Sequence, residues 1–282
     1  MLWKLPRRPP LDLGNRALIM GVVNATPDSF SEAGQFASAD AAIAQGIRLH
    51  QEGADILDIG GESTRPGAEA VDIAEEMRRV LPVIRGLAET LPGVLLSIDT
   101  MKAEVAAAAL DAGACIINDV TGLTGDTEMP ALAAGTCCGV VVMHMQGRPR
   151  DMQVAPVYDD VVAEVRDYLG KRFDDLVAAG IAPEAMVFDP GIGFGKSIAH
   201  NLDLLRSLDS LAPAGRPLLL GISRKSILGT LLGGAPVGER SWATVAMTSF
   251  ARERGARILR VHEAAPNVQA LRMTEAILGA SA

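Results

Sequence analysis

Two carboxylates and an amide stand at the ends of apolar runs: Asp99 after Leu95–Ile98, Asn118 after Cys115–Ile117 and Asp189 after Met186–Phe188. Any one of them would serve as a turn former or helix cap, because Asx side chains hydrogen-bond nearby backbone. Brought together, they would accept hydrogen bonds from a flat heterocycle with N–H donors. They would equally suit a divalent metal, and the residue types alone leave both readings open. A second set is cationic: Arg65, Lys225, Arg260 and His262. Gly61-Glu-Ser-Thr-Arg-Pro-Gly67 places an arginine and two hydroxyls in one Gly/Pro-bounded loop, a composition suited to phosphate or pyrophosphate. Ser223-Arg-Lys-Ser226 lies where a strand gives way to a helix, and free backbone N–H groups there favour an anion or carboxylate. The bland alternative is that surface Arg and Lys are simply solvated.

Asp189-Pro-Gly-Ile-Gly-Phe-Gly-Lys-Ser197 resembles two nucleotide loops and matches neither. Pro190 stands where a P-loop needs its first glycine, and Lys196 where a GxGxxG needs its last. The glycines therefore predict a loop with close backbone approach, carrying Phe194 as an exposed aromatic. No Ser/His/Asp triad or reactive cysteine context is evident, so nothing calls for a covalent intermediate. Cys115, Cys137 and Cys138 form neither a paired framework nor a zinc-ligand spacing, which fits a reducing compartment.

The elements that must carry these residues follow from hydrophobic pattern. Strands are predicted at Leu18–Val23, Ile56–Gly60, Leu95–Asp99, Cys115–Asn118, Val140–His144, Met186–Asp189, Leu218–Ile222 and Ile258–Val261. Their apolar residues are nearly continuous rather than alternating, as in strands buried on both faces. Helical stretches lie between them, at Ala39–Glu52, Val71–Glu89, Lys102–Asp111, Pro130–Ala134, Tyr158–Ala179, Asn201–Leu211, Trp242–Arg254 and Asn267–Leu278. Eight strand–helix alternations without a linker predict one (β/α)8 TIM barrel over residues 16–282, preceded by an extension over residues 1–15. An open doubly wound sheet would concentrate function after one or two strands. Here polar residues follow nearly every strand, from Asn24 after the first to His262 after the last.

Composition sets limits on partners. The 282 residues are 49 % hydrophobic, ample for a large core, and carry a formal charge of −8. That balance disfavours nucleic acid and anionic membranes as partners. The N-terminal segment lacks a signal-peptide core and no apolar run approaches a membrane span, so a soluble cytoplasmic protein is expected.

Asn24-Ala-Thr-Pro-Asp-Ser-Phe30, Gly61–Gly67, Ser97-Ile-Asp-Thr100, Ile117-Asn-Asp-Val120, Met143-His-Met-Gln-Gly147, Asp189–Lys196, Ser223–Ser226 and Arg260-Val-His262 together resemble the dihydropteroate synthases, in that family's order. The resemblance implies a barrel that joins 6-hydroxymethyl-7,8-dihydropterin pyrophosphate to p-aminobenzoate, giving 7,8-dihydropteroate and pyrophosphate in folate biosynthesis, with Mg2+ assisting. It implies that Asp99, Asn118 and Asp189 hold the pterin edge, that Met143 and Gly221 line its slot, that Lys225 reaches the ring and that Arg260 lies over its face. It implies Asn24 as the magnesium ligand and Thr64, Arg65, Arg260 and His262 as pyrophosphate holders. Phe30, Pro66, Phe194 and Ser226 would surround p-aminobenzoate, in a pocket that sulfonamides share. The family also implies a dissociative reaction course and a homodimer through the last helices. The first loop departs from the family's usual Asp-Gly-Gly run at Ser31-Glu-Ala-Gly34. A methyltetrahydrofolate-binding methyltransferase would share the Asp and Asn contacts, but has no use for the pyrophosphate and carboxylate holders.

Overall fold

The computed structural model describes residues 1–6, 8–26, 35–63, 67, 70–147 and 152–279, with side chains of the first helix described from Ala39 onward. A two-stranded antiparallel ribbon comes first, β1 (Leu2–Trp3) with β2 (Leu11–Asp12). Eight parallel strands follow: β3 (Leu18–Asn24), β4 (Ile56–Gly60), β5 (Leu95–Asp99), β6 (Ile116–Asp119), β7 (Gly139–Met143), β8 (Met186–Asp189), β9 (Leu218–Leu220) and β10 (Ala256–Val261). They close into a barrel in chain order, β10 pairing with β3 through Ile258–Leu18 and Arg260–Met20.

Between the barrel strands run α1 (Gln35–Gln51), α2 (Ile73–Thr90), α3 (Ala103–Asp111), α4 (Met129–Thr136), α5 (Val161–Ala178), α6 (Ile198–Arg206), α7 (Ser226–Leu231) and α8 (Ser241–Glu253), with α9 (Ala264–Ile277) last. Several starts are written locally. Asp72 accepts from the Glu75 N–H ahead of α2, and Asp160 from Val162 and Ala163 ahead of α5. Ser197 and His200 cap each other at α6, which satisfies N–H groups that would otherwise lack partners.

The strand period of two sorts side chains into two cores. Outward residues such as Ile19, Leu57, Ile98, Ile117, Val142 and Phe188 pack under the helices. Inward residues Met20, Ile56, Leu95, Ile116, Val141, Val187, Leu219 and Ile258 fill the barrel's lower half. Trp3, Leu5 and Leu13 join that inner cluster, so the N-terminal ribbon stoppers the barrel's lower end, and the Trp3 indole N–H donates to the Ala185 carbonyl at 2.9 Å. The expected eight strands are all present, within two residues at each end. The ribbon and α7 lie beyond the sequence expectation: two-residue strands and a six-residue helix are too short to show a period.

Candidate active site

One pleat step above the apolar inner layer, the same inward positions turn polar. Ile56 is followed by Asp58, Leu95 by Ser97 and Asp99, Ile116 by Asn118, Val187 by Asp189 and Ile258 by Arg260. Alternation alone therefore lifts these groups to the barrel's C-terminal mouth, where barrels place their chemistry.

Arg260 is the centre of this layer. Its Nε donates to Asp58 Oδ2 and its outer nitrogen to Asp99 Oδ2, both at 2.6 Å. Asn118 Nδ2 also donates to Asp58 Oδ2, at 2.9 Å. Burial pushes the Asp99 carboxyl up to about 7; Arg260 pulls against this, and Asp58, Glu76 and Asp119 push the same way as burial. Asp189 is likewise raised by burial, opposed by Lys225 and by the Gly191 N–H, which it accepts at 2.7 Å. Lys225 is lowered by burial to about 8, against the pull of Asp189. Its Nζ donates to the Ile192 carbonyl and stands 4.5 Å from the centroid of the Phe194 ring. Gly221 keeps the space between Asp189 and Arg260 open, since a Cβ there would lie 3.6 Å from Asp189 Oδ2 and 3.9 Å from Arg260.

Phe194 differs from its expectation. It is buried, in one cluster with Val120, Met143 and Met152, flanked by Met101 and Met145. An apolar, polarizable wall thus stands beside the polar layer, as a flat ring would need. The loop that carries it is clasped by Lys196, whose buried ammonium donates to the carbonyls of Gly191 and Phe194, both at 3.0 Å, and meets His144 Nδ1 at 2.9 Å. Burial lowers Lys196 to about 7. Burial and then Lys196 lower His144 to about 3.

On the other side of the mouth, the Ser223 hydroxyl accepts the His262 backbone N–H at 3.2 Å and meets its Nδ1 at 3.0 Å, which sets the imidazole's orientation. Arg224 has φ +60 within this turn, and Arg240 Nη1 holds its carbonyl at 2.9 Å. Ser226 is exposed as the first residue of α7. Asn24, the last residue of β3, registers against Gly60, which in turn registers against Asp99. Phe30, Thr64, Arg65 and Pro66 lie outside the described residues. The base of the loop bearing Arg65 is described, and there Lys102 bridges Glu62 and Glu76.

Asp58, Lys196 and the Glu62–Lys102–Glu76 bridge are polar groups at this mouth to which the sequence reading gave no role. Asp58 had a signal: a carboxylate inside Ile56-Leu-Asp-Ile-Gly60, two residues from each inward neighbour. Among the described residues no group of three His, Cys, Asp or Glu side chains would hold a metal ion. Asn24 offers one amide oxygen. That donor set fits a magnesium ion shared with a substrate's phosphates, since Mg2+ commonly binds through few protein ligands, waters and phosphate oxygens. No helix of the described residues is long and apolar enough to cross a membrane.

The family model described as pterin binding enzyme matches residues 20–262. A dihydropteroate synthase of Synechocystis sp. is 43 % identical over 266 residues, covering 94 % of this chain and 92 % of that protein. The structure of Xanthomonas albilineans dihydropteroate synthase with 4-aminobenzoic acid superposes with a TM-score of 0.90 at 47 % identity, covering 96 % of each chain. A Yersinia pestis dihydropteroate synthase in complex with a sulfonamide drug gives 0.92 at 42 % identity, covering 99 % of this chain and 100 % of that one.

Proposed function

The chain belongs to the pterin-binding enzymes, and within them to the dihydropteroate synthases; from that membership we propose how its barrel mouth divides the work. It condenses 6-hydroxymethyl-7,8-dihydropterin pyrophosphate with p-aminobenzoate, releasing pyrophosphate. The observation that carries the division of roles is the single polar layer in which Asp58, Asp99, Asn118 and Arg260 are hydrogen-bonded together above an apolar barrel floor.

Asp99, Asn118 and Asp189 hold the pterin's N–H edge, with Met143 and Gly221 along its slot. Lys225 donates to the ring and Arg260 covers one face. The aniline nitrogen of p-aminobenzoate is neutral at pH 7 and attacks without a strong base. The demanding step is departure of pyrophosphate from the methylene carbon, as in a dissociative course. Buried carboxylates stabilise positive charge developing on the pterin, while Arg65, Arg260, His262 and the Thr64 hydroxyl hold the leaving oxygens. Asn24 would hold a magnesium ion on the pyrophosphate, where the cation offsets leaving-group charge. Phe30, Pro66, Phe194 and Ser226 form the p-aminobenzoate pocket. We extend the reading to a cytoplasmic homodimer, for which Trp242 on α8 and Met273 and Ile277 on α9 supply exposed apolar surface.

The direct test is incubation of the protein with the pterin pyrophosphate and labelled p-aminobenzoate, with and without magnesium. Labelled dihydropteroate that depends on both substrates and on the metal is expected; absence of product ends the assignment. The pH dependence follows from the site. Asp99 accepts the stronger, charge-assisted N–H bond only as the carboxylate, so affinity for the bare hydroxymethyl-dihydropterin rises as pH passes about 7. Lys225 loses its charge above about 8, so affinity then falls. A narrow bell between these values is expected by calorimetry. Asp99→Asn should lose the acidic limb, and a bell unchanged in that variant contradicts the roles.

A sulfonamide copies the aniline end of p-aminobenzoate. It is expected to bind weakly to the free protein and more tightly with pyrophosphate, magnesium and pterin present, because occupants of the adjoining sites favour the binding-competent form of the shared pocket. Calorimetric titrations in both states check this, and equal affinity in both contradicts it.

A further inference from the structure

We propose that Asp58 is a positioning residue that fixes the Arg260 guanidinium and the Asn118 amide, and so decides which donors and acceptors the barrel mouth shows to a ligand. The inference rests on the pterin site proposed above. Asp58 lies on β4, two strands from β10 on one side and two strands from β6 on the other, so its side chain meets Arg260 and Asn118 across the barrel interior. One oxygen, Oδ2, accepts from both Arg260 Nε and Asn118 Nδ2. The carboxylate is fully buried, and its other oxygen has no hydrogen-bond partner among the described residues.

Each contact removes a specific freedom. A guanidinium is planar, so anchoring Nε on Asp58 and an outer nitrogen on Asp99 sets the whole plane. That plane is the one Arg260 would present to a flat ring. An amide is nearly symmetric in shape but opposite in polarity at its two ends. With Nδ2 drawn to Asp58, the Asn118 oxygen is committed to the other side as an acceptor. A neutral amide at position 58 would let Asn118 turn over at little steric cost and would leave Nε without its anion. Asp58 thus acts through its neighbours, from a position one pleat step below Asp99.

The wild-type protein must first bind hydroxymethyl-dihydropterin and turn over; failure there removes the pterin reading itself, apart from this proposal. Asp58→Asn, Arg260→Lys and the double variant then form a cycle, with near-UV circular dichroism checking the fold. Asp58→Asn is expected to weaken pterin binding roughly ten- to a hundredfold, the range for a charged hydrogen bond, while KM for p-aminobenzoate stays within about twofold. Arg260→Lys should then cost far less in the Asp58→Asn background than in wild type, because its orientation is already lost. The pH midpoint of pterin binding should also move down. Asp99 is faced by Asp58, Glu76, Asp119, Arg260 and Lys225, and removing one neighbouring negative charge eases its ionisation. Pterin affinity within twofold of wild type, or fully additive losses, overturns the proposal. Should Asp58→Asn fail to fold, nitrogen-15 arginine spectra of the wild type decide: the Nε–H signal absent from Arg260→Lys must exchange slowly with solvent, and rapid exchange overturns the proposal.

Discussion

Replacing Arg260 with alanine is expected to lower the unfolding free energy by about 3–5 kcal/mol, the range for removing one partner of a buried ion pair. The size follows from what remains. Asp58 is fully buried and Asp99 nearly so, and both lose the cation that bridges them. Two carboxyl groups would then face each other without a cation, and one must take up a proton, in a barrel lumen closed below by leucine, isoleucine and tryptophan. Pterin binding should become undetectable, because the cation over the ring and the geometry of Asp99 vanish together. Urea denaturation followed by near-UV circular dichroism measures the stability term. Arg260→Lys should recover part of it, since an ammonium neutralises charge but does not span two strands as a planar fork does. A combined Asp58→Leu, Asp99→Leu, Arg260→Met variant should recover stability without recovering binding, because apolar replacements of a whole buried ionic group are often neutral. An Arg260→Ala protein as stable as wild type contradicts the bridge.

Gly191→Ala is expected to reduce kcat/KM more than a hundredfold, with a loss of stability of about 2–3 kcal/mol from strain and displaced loop contacts. Gly191 has φ +68, where an L side chain is strained. A methyl there would also overlap the His144 carbonyl oxygen, which is backbone and has little freedom to retreat. The loop must therefore lift. It carries the N–H that holds Asp189, the carbonyl that holds Lys196 and the carbonyl of Ile192 that holds Lys225. Gly233→Ala is the control: φ is +72, but nothing lies within 4 Å of the added methyl. It should cost only the backbone strain, about 1 kcal/mol, and leave turnover unchanged. Near-wild-type turnover in Gly191→Ala would show that the loop is softer than its packing implies.

Strand pattern made the barrel legible, because fully buried parallel strands leave runs such as Leu18–Val23 and Val140–Met143 with no room for polar residues. Residues at strand ends were legible for the same reason: Asp99, Asn118 and Asp189 each interrupt such a run. Asp58 was not, because it is masked by apolar residues on both sides and only its alternation with Ile56 and Gly60 marks it as inward. The Phe194 expectation erred because a glycine-rich loop predicts exposure, whereas the methionines that cover this ring come from elsewhere in the chain. Lys196 illustrates the same limit. Its partners are three backbone carbonyls and a histidine on the β7 loop, and backbone carries no sequence signal.

The closure of β10 on β3 also bears on synthesis. On the ribosome β3 emerges early, but the edge that β10 covers stays unpaired until residues 256–261 have left the exit tunnel. The lock comes later still, since the Ala17 N–H donates at 2.6 Å to Glu275 on the last helix, and that carboxylate also holds Arg252. Until β10 pairs with β3, an apolar strand edge and the half-built lumen behind it are open to neighbouring nascent chains. Slow elongation would therefore lengthen the hazardous interval rather than aid folding, and chaperone shelter would matter until residues 256–261 have emerged and paired.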